Sequence, residues 1–169
     1  MTEVFIALGS NIDPATRLLA AARELRARFP DVRFSPCYRN AAFGFQGDDF
    51  INAVAGFSTG LAVPELLRAL HEIEAACGRG RQDSKWGPRA MDLDLLLYGQ
   101  EIGEGPGYVL PRRDLLRRVY MLGPLAELAP QLRHPVSGQS IGALWAAFDR
   151  SEHAMIRTSL DLNAAGTGP

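Results

Sequence analysis

Met91-Asp92-Leu93-Asp94-Leu95-Leu96-Leu97-Tyr98 is an apolar run interrupted only by two carboxylates. Its length and apolar content read as a strand. Upstream, Pro64 opens a helix whose Leu66, Leu70, Ile73 and Cys77 hold helical period, and Gly78 is placed to end it. Before that, residues 50–57 (FINAVAGF) and Val32-Arg33-Phe34, alternating toward Tyr38, read as two further strands. A loop over residues 40–49 separates them. At the start, Val4-Phe5-Ile6-Ala7-Leu8 is a buried strand ended by Gly9-Ser10-Asn11. Asp13 is the N-cap and Pro14 the first residue of a helix with Leu18, Ala22, Leu25 and Phe29 on one face, ending near Pro30.

The order is therefore β-α-β-β-α-β, and the 91–98 strand closes it. That series is the split βαβ, ferredoxin-like arrangement. The expected fold class is α+β, an antiparallel sheet with helices on one face. C-terminal helical additions follow: a short helix or turn over 112–118, then helices over 120–129 and 141–148. Four glycines and a proline over 99–107 read as turns. Residues 156–162 alternate apolar and polar, which allows a late edge strand or a surface for self-association. The expected organisation is one domain over 1–162 and a disordered polar tail over 163–169.

The 169 residues carry 18 Lys and Arg against 19 Asp and Glu, a net charge of −1. That balance disfavours nucleic acid as a partner, because such binders need a surplus of cations to displace counterions. No apolar run approaches the roughly 18 residues of a membrane helix, and the N-terminus lacks the features of a signal peptide. Cys37 and Cys77 are too few for a disulfide framework and lack zinc-ligand spacing, as do His71, His134 and His153. A cytoplasmic, monomeric protein is expected.

The charges are segregated. Asp92 and Asp94 alternate with Leu93, so both point to one face, with Cα atoms about 6.5–7 Å apart. Like charges held side by side need a cation or donors. Two oxygen ligands on a rigid element suit Mg²⁺, which takes one or two carboxylates plus phosphates and water. A solvated strand end, or a salt bridge to a nearby arginine, is the plainer alternative. Residues 78–89 carry Arg79, Arg81, Lys85 and Arg89 against Asp83, and residues 112–118 carry Arg112, Arg113, Arg117 and Arg118 against Asp114; each segment is net +3. Guanidinium forks match phosphate oxygens. Trp86-Gly87-Pro88 is a stiff element suited to closing over a ligand or to packing on the core. Gly9-Ser10-Asn11 offers donors at a strand end but lacks the Gly-Lys-Ser/Thr of a P-loop. Asn52, in an apolar strand, either reads a heterocycle's edge or satisfies a backbone group.

These pieces resemble the 6-hydroxymethyl-7,8-dihydropterin pyrophosphokinase family. The resemblance lies in residues 6–11 (IALGSN), Tyr38-Arg39, residues 50–53 (FINA), Ile73-Glu74 and Gly78-Arg79-Gly80-Arg81. The most specific block is residues 86–99 (WGPRAMDLDLLLYG), followed in order by residues 118–125 (RVYMLGPL). It implies a ferredoxin-like enzyme of folate biosynthesis, a Mg-dependent diphosphotransferase. The family moves pyrophosphate from ATP to the pterin's hydroxymethyl group and releases AMP. The resemblance assigns two Mg²⁺ ions to Asp92 and Asp94, and catalytic roles to Arg79, Arg89, Asp92 and Asp94. ATP contacts fall to Arg81, Lys85, Arg112 and Arg118. Pterin contacts fall to Gly9, Asn40, Phe43, Phe50, Asn52, Trp86 and Tyr120.

This chain also departs from the family pattern. Arg112 stands where the family usually has His, Asn40-Ala41-Ala42-Phe43 where it carries Thr and prolines, Phe50 where Tyr is common, and Tyr120 where Phe is common. An arginine binds phosphate but does not deprotonate near neutrality. A paralogue acting on a related pterin alcohol is therefore one alternative. A Mg-dependent nucleotidyltransferase is a second; there the Gly-Ser and Asp-x-Asp motifs lie on neighbouring elements, whereas Gly9 and Asp92 are 83 positions apart. A non-catalytic pterin- or nucleotide-binding module is a third, disfavoured by retention of both aspartates and of Arg79 and Arg89.

Overall fold

The computed structural model describes residues 1–40, 49–78, 91–151 and 154–164. The strands and helices are β1 (Thr2–Ser10), α1 (Pro14–Arg28), β2 (Arg33–Phe34), β3 (Tyr38–Asn40), β4 (Phe50–Thr59), α2 (Val63–Ala76) and β5 (Asp92–Tyr98). There follow β6 (Gly103–Gly105), β7 (Tyr108–Leu110), a 3₁₀ turn (Arg113–Leu116), α3 (Val119–Leu128), α4 (Ile141–Ala146) and β8 (Ile156–Arg157). The main sheet runs β5-β1-β4-β3-β8, with β2 also on β4, and these neighbours all pair antiparallel. That is the ferredoxin-like order expected from the sequence.

Alternation along the central strands makes two cores. Val4, Ile6 and Leu8 of β1, Ala53, Ala55 and Phe57 of β4, and Leu93 and Leu95 of β5 pack beneath α1 and α2. Phe5, Ala7, Val54 and Leu96 face the other way, onto α3 and Ile141 of α4. The helices of the βαβ units thus share one face, and the C-terminal additions cover the opposite one. Burying Leu93 and Leu95 is worth about 1.5–3 kcal/mol each. A one-residue slip of β5 would exchange them for the two aspartates, so the register is strongly specified.

Some expectations need adjusting. The expected strand from Val32 toward Tyr38 is divided into β2 and β3. Pro36, which has no N–H to give a ladder, lies between them, while Ser35 stays bonded to Val54 through both its N–H (2.8 Å) and its Oγ (2.9 Å). The Gly-rich stretch read as turns contains the β6–β7 hairpin. Asp13 occupies the N-cap in the left-handed region (φ 46°), and its carboxylate accepts from Thr16 Oγ1 at 3.3 Å rather than capping a backbone N–H. The late edge strand is present but only two residues long. Asn163, at the start of the expected tail, is bonded to Phe34. Both cysteines are buried and free, and burial pushes the Cys37 thiol up to about 12. Among the described residues no helix is long and apolar enough to cross a membrane.

Candidate active site

Four strands meet in one transverse row. Tyr38 of β3 pairs with Asn52 of β4, Asn52 with Gly9 of β1, and Gly9 with Asp92 of β5. Every side chain of that row belongs to the α3 side of the sheet, by alternation from Val54 and Leu96. Asn40 and Phe50 lie one step further along the same face and pair with each other. Asp94 lies one step inward, opposite Ala7. Asn52 and Asp92 are two strand spacings apart, about 10 Å between Cα atoms.

Glycine at position 9 has a steric cause. A Cβ there would stand 2.6 Å from Asn52 Oδ1, so the Asn52 side chain lies across the Gly9 backbone. The Asn52 amide nitrogen donates to Asn40 Oδ1, which joins β4 to the end of β3. The described partner of the Asn52 amide is thus a side chain and not a backbone group. The two form a side-chain pair aimed across the sheet end.

The acidic pair is half-buried. Arg112 Nη1 lies 3.7 Å from Asp94 Oδ1, and Arg112 Nη2 lies 4.0 Å from Asp114 Oδ2. The salt-bridge alternative is thus met in part, though both contacts are long and both groups more than a third exposed. Arg112 Nε is buried without a hydrogen-bond partner. The guanidinium balances two carboxylates without being committed to either. Arg118 is the N-cap of α3 and Tyr120 its second residue. Burial raises the Tyr120 pKa, Arg118 opposes that, and Asp114 and Asp94 add to it. The phenol therefore stays protonated through the physiological range, facing the same charged groups.

Glu74 was missed by sequence reasoning as a working residue. It is buried on α2, and its Oε2 accepts the Leu93 N–H at 2.8 Å. Leu93 is the residue between the two aspartates, so Glu74 fixes the outer edge of β5 at that point. Its spacing of four from Leu70, on the apolar face of the helix, was the available signal.

A cavity of about 580 Å³ adjoins Asp94 along the β5 edge, within the ordinary range for small-molecule sites. Leu67 and His71 of α2, Leu95 of β5, Tyr108 of β7, and Arg112 and Arg113 are among its lining residues. Arg79, Arg81, Lys85, Trp86 and Arg89, and Phe43 of the pterin set, lie outside the described residues.

Two carboxylates on one face fit Mg²⁺ by donor chemistry: both ligands are oxygen, and substrate phosphates and water complete its shell. Among the described residues no group of three or more His, Cys, Asp or Glu could hold a metal by itself.

An α+β sheet carrying acidic, amide and guanidinium groups at one end, beside an open cavity of about 580 Å³, has the makings of an enzyme that handles an anionic and a polar ligand together. The family model described as 7,8-dihydro-6-hydroxymethylpterin-pyrophosphokinase matches residues 5–130, and the chain belongs to that family. Relatives named 2-amino-4-hydroxy-6-hydroxymethyldihydropteridine pyrophosphokinase include one from Pseudomonas aeruginosa, 40% identical over 149 residues, covering 86% of this chain and 91% of the relative. Another, from Methylorubrum extorquens, is 38% identical over 156 residues, covering 89% and 96%. A third, from Haemophilus influenzae, is 37% identical over 161 residues, covering 93% and 98%. Among solved structures, Plasmodium falciparum HPPK-DHPS with SDX-DHP superposes with a TM-score of 0.64 at 12% identity, over 86% of this chain and 43% of that one. An HPPK-DHPS in complex with substrates gives 0.67 at 10% identity, over 89% and 43%. At those identities the likeness is one of fold. The chain spans less than half the length of these solved chains.

A nucleotidyltransferase sets its Gly-Ser and Asp-x-Asp motifs on neighbouring elements, and Gly9 and Asp92 are 83 positions apart in sequence. In space the two are direct partners across β1 and β5. Separation along the chain therefore does not weigh against that alternative; membership of the pyrophosphokinase family does.

Proposed function

We propose that this chain transfers the pyrophosphoryl group of ATP to the hydroxymethyl oxygen of 6-hydroxymethyl-7,8-dihydropterin, releasing AMP, as a step of folate biosynthesis. The observation that carries the reading is the transverse row, in which Asn52 and Asp92 flank Gly9 on one face of the sheet. A flat amide-bearing ring held by Asn52 and Asn40, between Phe50 and Tyr120, extends a substituent over Gly9 toward the aspartates. The nucleotide enters from the other side. Its base and ribose fill the cavity beside Leu67, Leu95 and Tyr108, and its phosphates run past Arg112 toward Asp94.

Asp92 and Asp94 are the residues that would hold Mg²⁺, two ions on the family pattern. When bound, the metal supplies charge neutralisation on the phosphate oxygens and orients them for in-line attack. The chain's own contribution is position and charge. Arg112 and Arg118 bring guanidinium groups to the phosphates, where charge grows on the bridging and non-bridging oxygens. The sheet end holds the two substrates within reach of each other. By resemblance Arg79 and Arg89 act on the transferring group, Arg81 and Lys85 hold the phosphates, and Phe43 and Trp86 close over the pterin. Every one of these groups comes from one chain, which fits a monomer, and two free thiols fit the cytoplasm.

The test is incubation with ATP, Mg²⁺ and the dihydropterin, with nucleotide products separated. AMP that appears only with the pterin supports the reading. ADP as the nucleotide product, or none, refutes it.

A further inference from the structure

We infer that the C-terminal segment, residues 154–164, is a positioning strap for the pterin half of the site. The inference rests on the reading of Asn40 and Asn52 as pterin contacts. The segment lies beyond the residues that the family model matches.

The strands it touches are too short to hold themselves. β2 has two residues and β3 three. Both pair with β4 on one side, and without a further partner β3 would be a bare edge. The segment supplies that partner. Ile156 and Arg157 pair with Arg39 and Tyr38. The Cys37 carbonyl accepts from both the Thr158 N–H (2.9 Å) and the Thr158 hydroxyl (3.1 Å). Leu162 is completely buried in the core beneath α1 and α2. Asn163 Oδ1 accepts the Phe34 N–H at 3.0 Å, and its Nδ2 donates to the Phe34 carbonyl at 2.8 Å. One side chain thus replaces a rung of sheet. Arg26 of α1 donates to the carbonyls of Leu162 and Asn163, which ties the segment to the helix layer.

A second path leads to the site itself. Arg157 Nη1 lies 3.9 Å from Glu127 Oε2 on α3. The Tyr38 hydroxyl donates to Glu127 Oε1. Tyr38 is the cross-strand partner of Asn52, and Asn40, two residues on, accepts from the Asn52 amide. The strap therefore acts on the pair that orients Asn52. Holding that pair in place before the ligand arrives lowers the ordering cost of binding. It leaves the Asp94–Arg112 side untouched, since β5 lies at the opposite edge of the sheet.

The experiment is Asn163→Ala in the full chain. Hydrogen exchange of the amides of residues 38–40 should quicken. Pterin affinity should fall about fivefold, the loss expected for an ordinary hydrogen-bonded contact. Affinity for a non-hydrolysable ATP analogue with Mg²⁺ should not change. Should Asn163→Ala fail to fold, Thr158→Val, which removes the hydroxyl's bond to the Cys37 carbonyl and its acceptance of the Leu160 N–H, is read the same way with a smaller loss. Unchanged pterin affinity in the folded variant overturns the inference, and so does a parallel loss of both affinities, which would be general loosening. Asn52→Ala separates the two levels. Lost pterin affinity in Asn52→Ala with none lost in Asn163→Ala overturns the strap and keeps the pterin reading. Unchanged affinity in Asn52→Ala overturns that reading and the strap's role with it.

Discussion

Gly9→Ala tests the geometry of the transverse row with the smallest possible perturbation. The added methyl carbon would sit 2.6 Å from Asn52 Oδ1, 3.7 Å from Asn52 Cγ and 3.9 Å from Phe50 Cδ1. Only the first contact is impossible, and relieving it to an ordinary carbon–oxygen separation requires about 0.8 Å of movement, within the range in which overpacking is felt. Asn52 has little room to give, since it is 7% exposed and its nitrogen is engaged by Asn40. The amide must rotate or the two strands must part. Losing one well-aligned amide contact to a buried ring costs about 1–3 kcal/mol, or about 5- to 150-fold in pterin affinity. Global stability should fall by only about 1 kcal/mol, a shift of about 2–4 °C in Tm for a domain of this size. ATP affinity should hold, because the strain is directed at β4 and away from β5. The assay is pterin titration with steady-state kcat/KM for each substrate, repeated in an Asn52→Ala background. There Gly9→Ala should cost little more, since its target is gone. Additive losses in the double variant, or an unchanged pterin affinity in the single one, would refute the reasoning.

Asp94→Asn should abolish AMP formation while circular dichroism and Tm stay close to the parent; measurable turnover would remove Asp94 from the metal site. Arg112→Gln removes a loose, half-exposed partner of Asp94 worth about 1 kcal/mol or less. Mg²⁺ binding without nucleotide, read by calorimetry, should tighten about two- to fivefold while ATP binding weakens. His134 accepts the N–H groups of Val136 and Ser137 on Nδ1, both at 3.2 Å, and burial lowers its pKa. The unfolded chain therefore takes up the proton first as pH falls. The contribution of His134 to stability is complete above its unfolded pKa of about 6.5 and is lost as pH drops below it. Urea unfolding from pH 7.5 to 5 should show that slope, reduced in His134→Asn.

The acidic pair could be read from sequence because it needs only local information. Two aspartates two residues apart in an apolar strand share a face wherever the strand lies. The helix-strand order likewise followed from periodicity and from Pro14, Pro64 and Gly78. What sequence did not carry was register across strands. That Asn52 and Asp92 both pair with Gly9 depends on how three separated segments slide into the two cores, and no spacing along the chain encodes it. The same blindness made 83 positions between Gly9 and Asp92 look like distance. Glu74 escaped for another reason. A carboxylate on an apolar helix face is unusual, but its partner is a backbone N–H, which has no signature in sequence. The β6–β7 strands, three residues each, are shorter than any periodicity can resolve.

The placement of the site follows from one physical conflict within β5. Leu93 and Leu95 must face α1 and α2, which turns Asp92 and Asp94 toward the face that α3 covers. Full coverage there would bury two neighbouring carboxylates, at a cost of several kcal/mol per charge. Instead α3 begins at Val119, with Arg118 and Arg112 delivered to the same end of the sheet. The aspartates remain half-exposed, with a cation nearby and a cavity beside them. On the opposite face Glu74 holds the strand between them, so the pair is rigid without being sealed. The β4 half of the row solves the complementary problem: Asn52 is covered, and Gly9 and Asn40 leave its amide one orientation. An open, charged half and a closed, hydrogen-bonded half therefore arise from the same alternation, on strands that share Gly9. A phosphate chain suits the first and a flat heterocycle the second, and the single backbone between them is where a bond from one to the other can form.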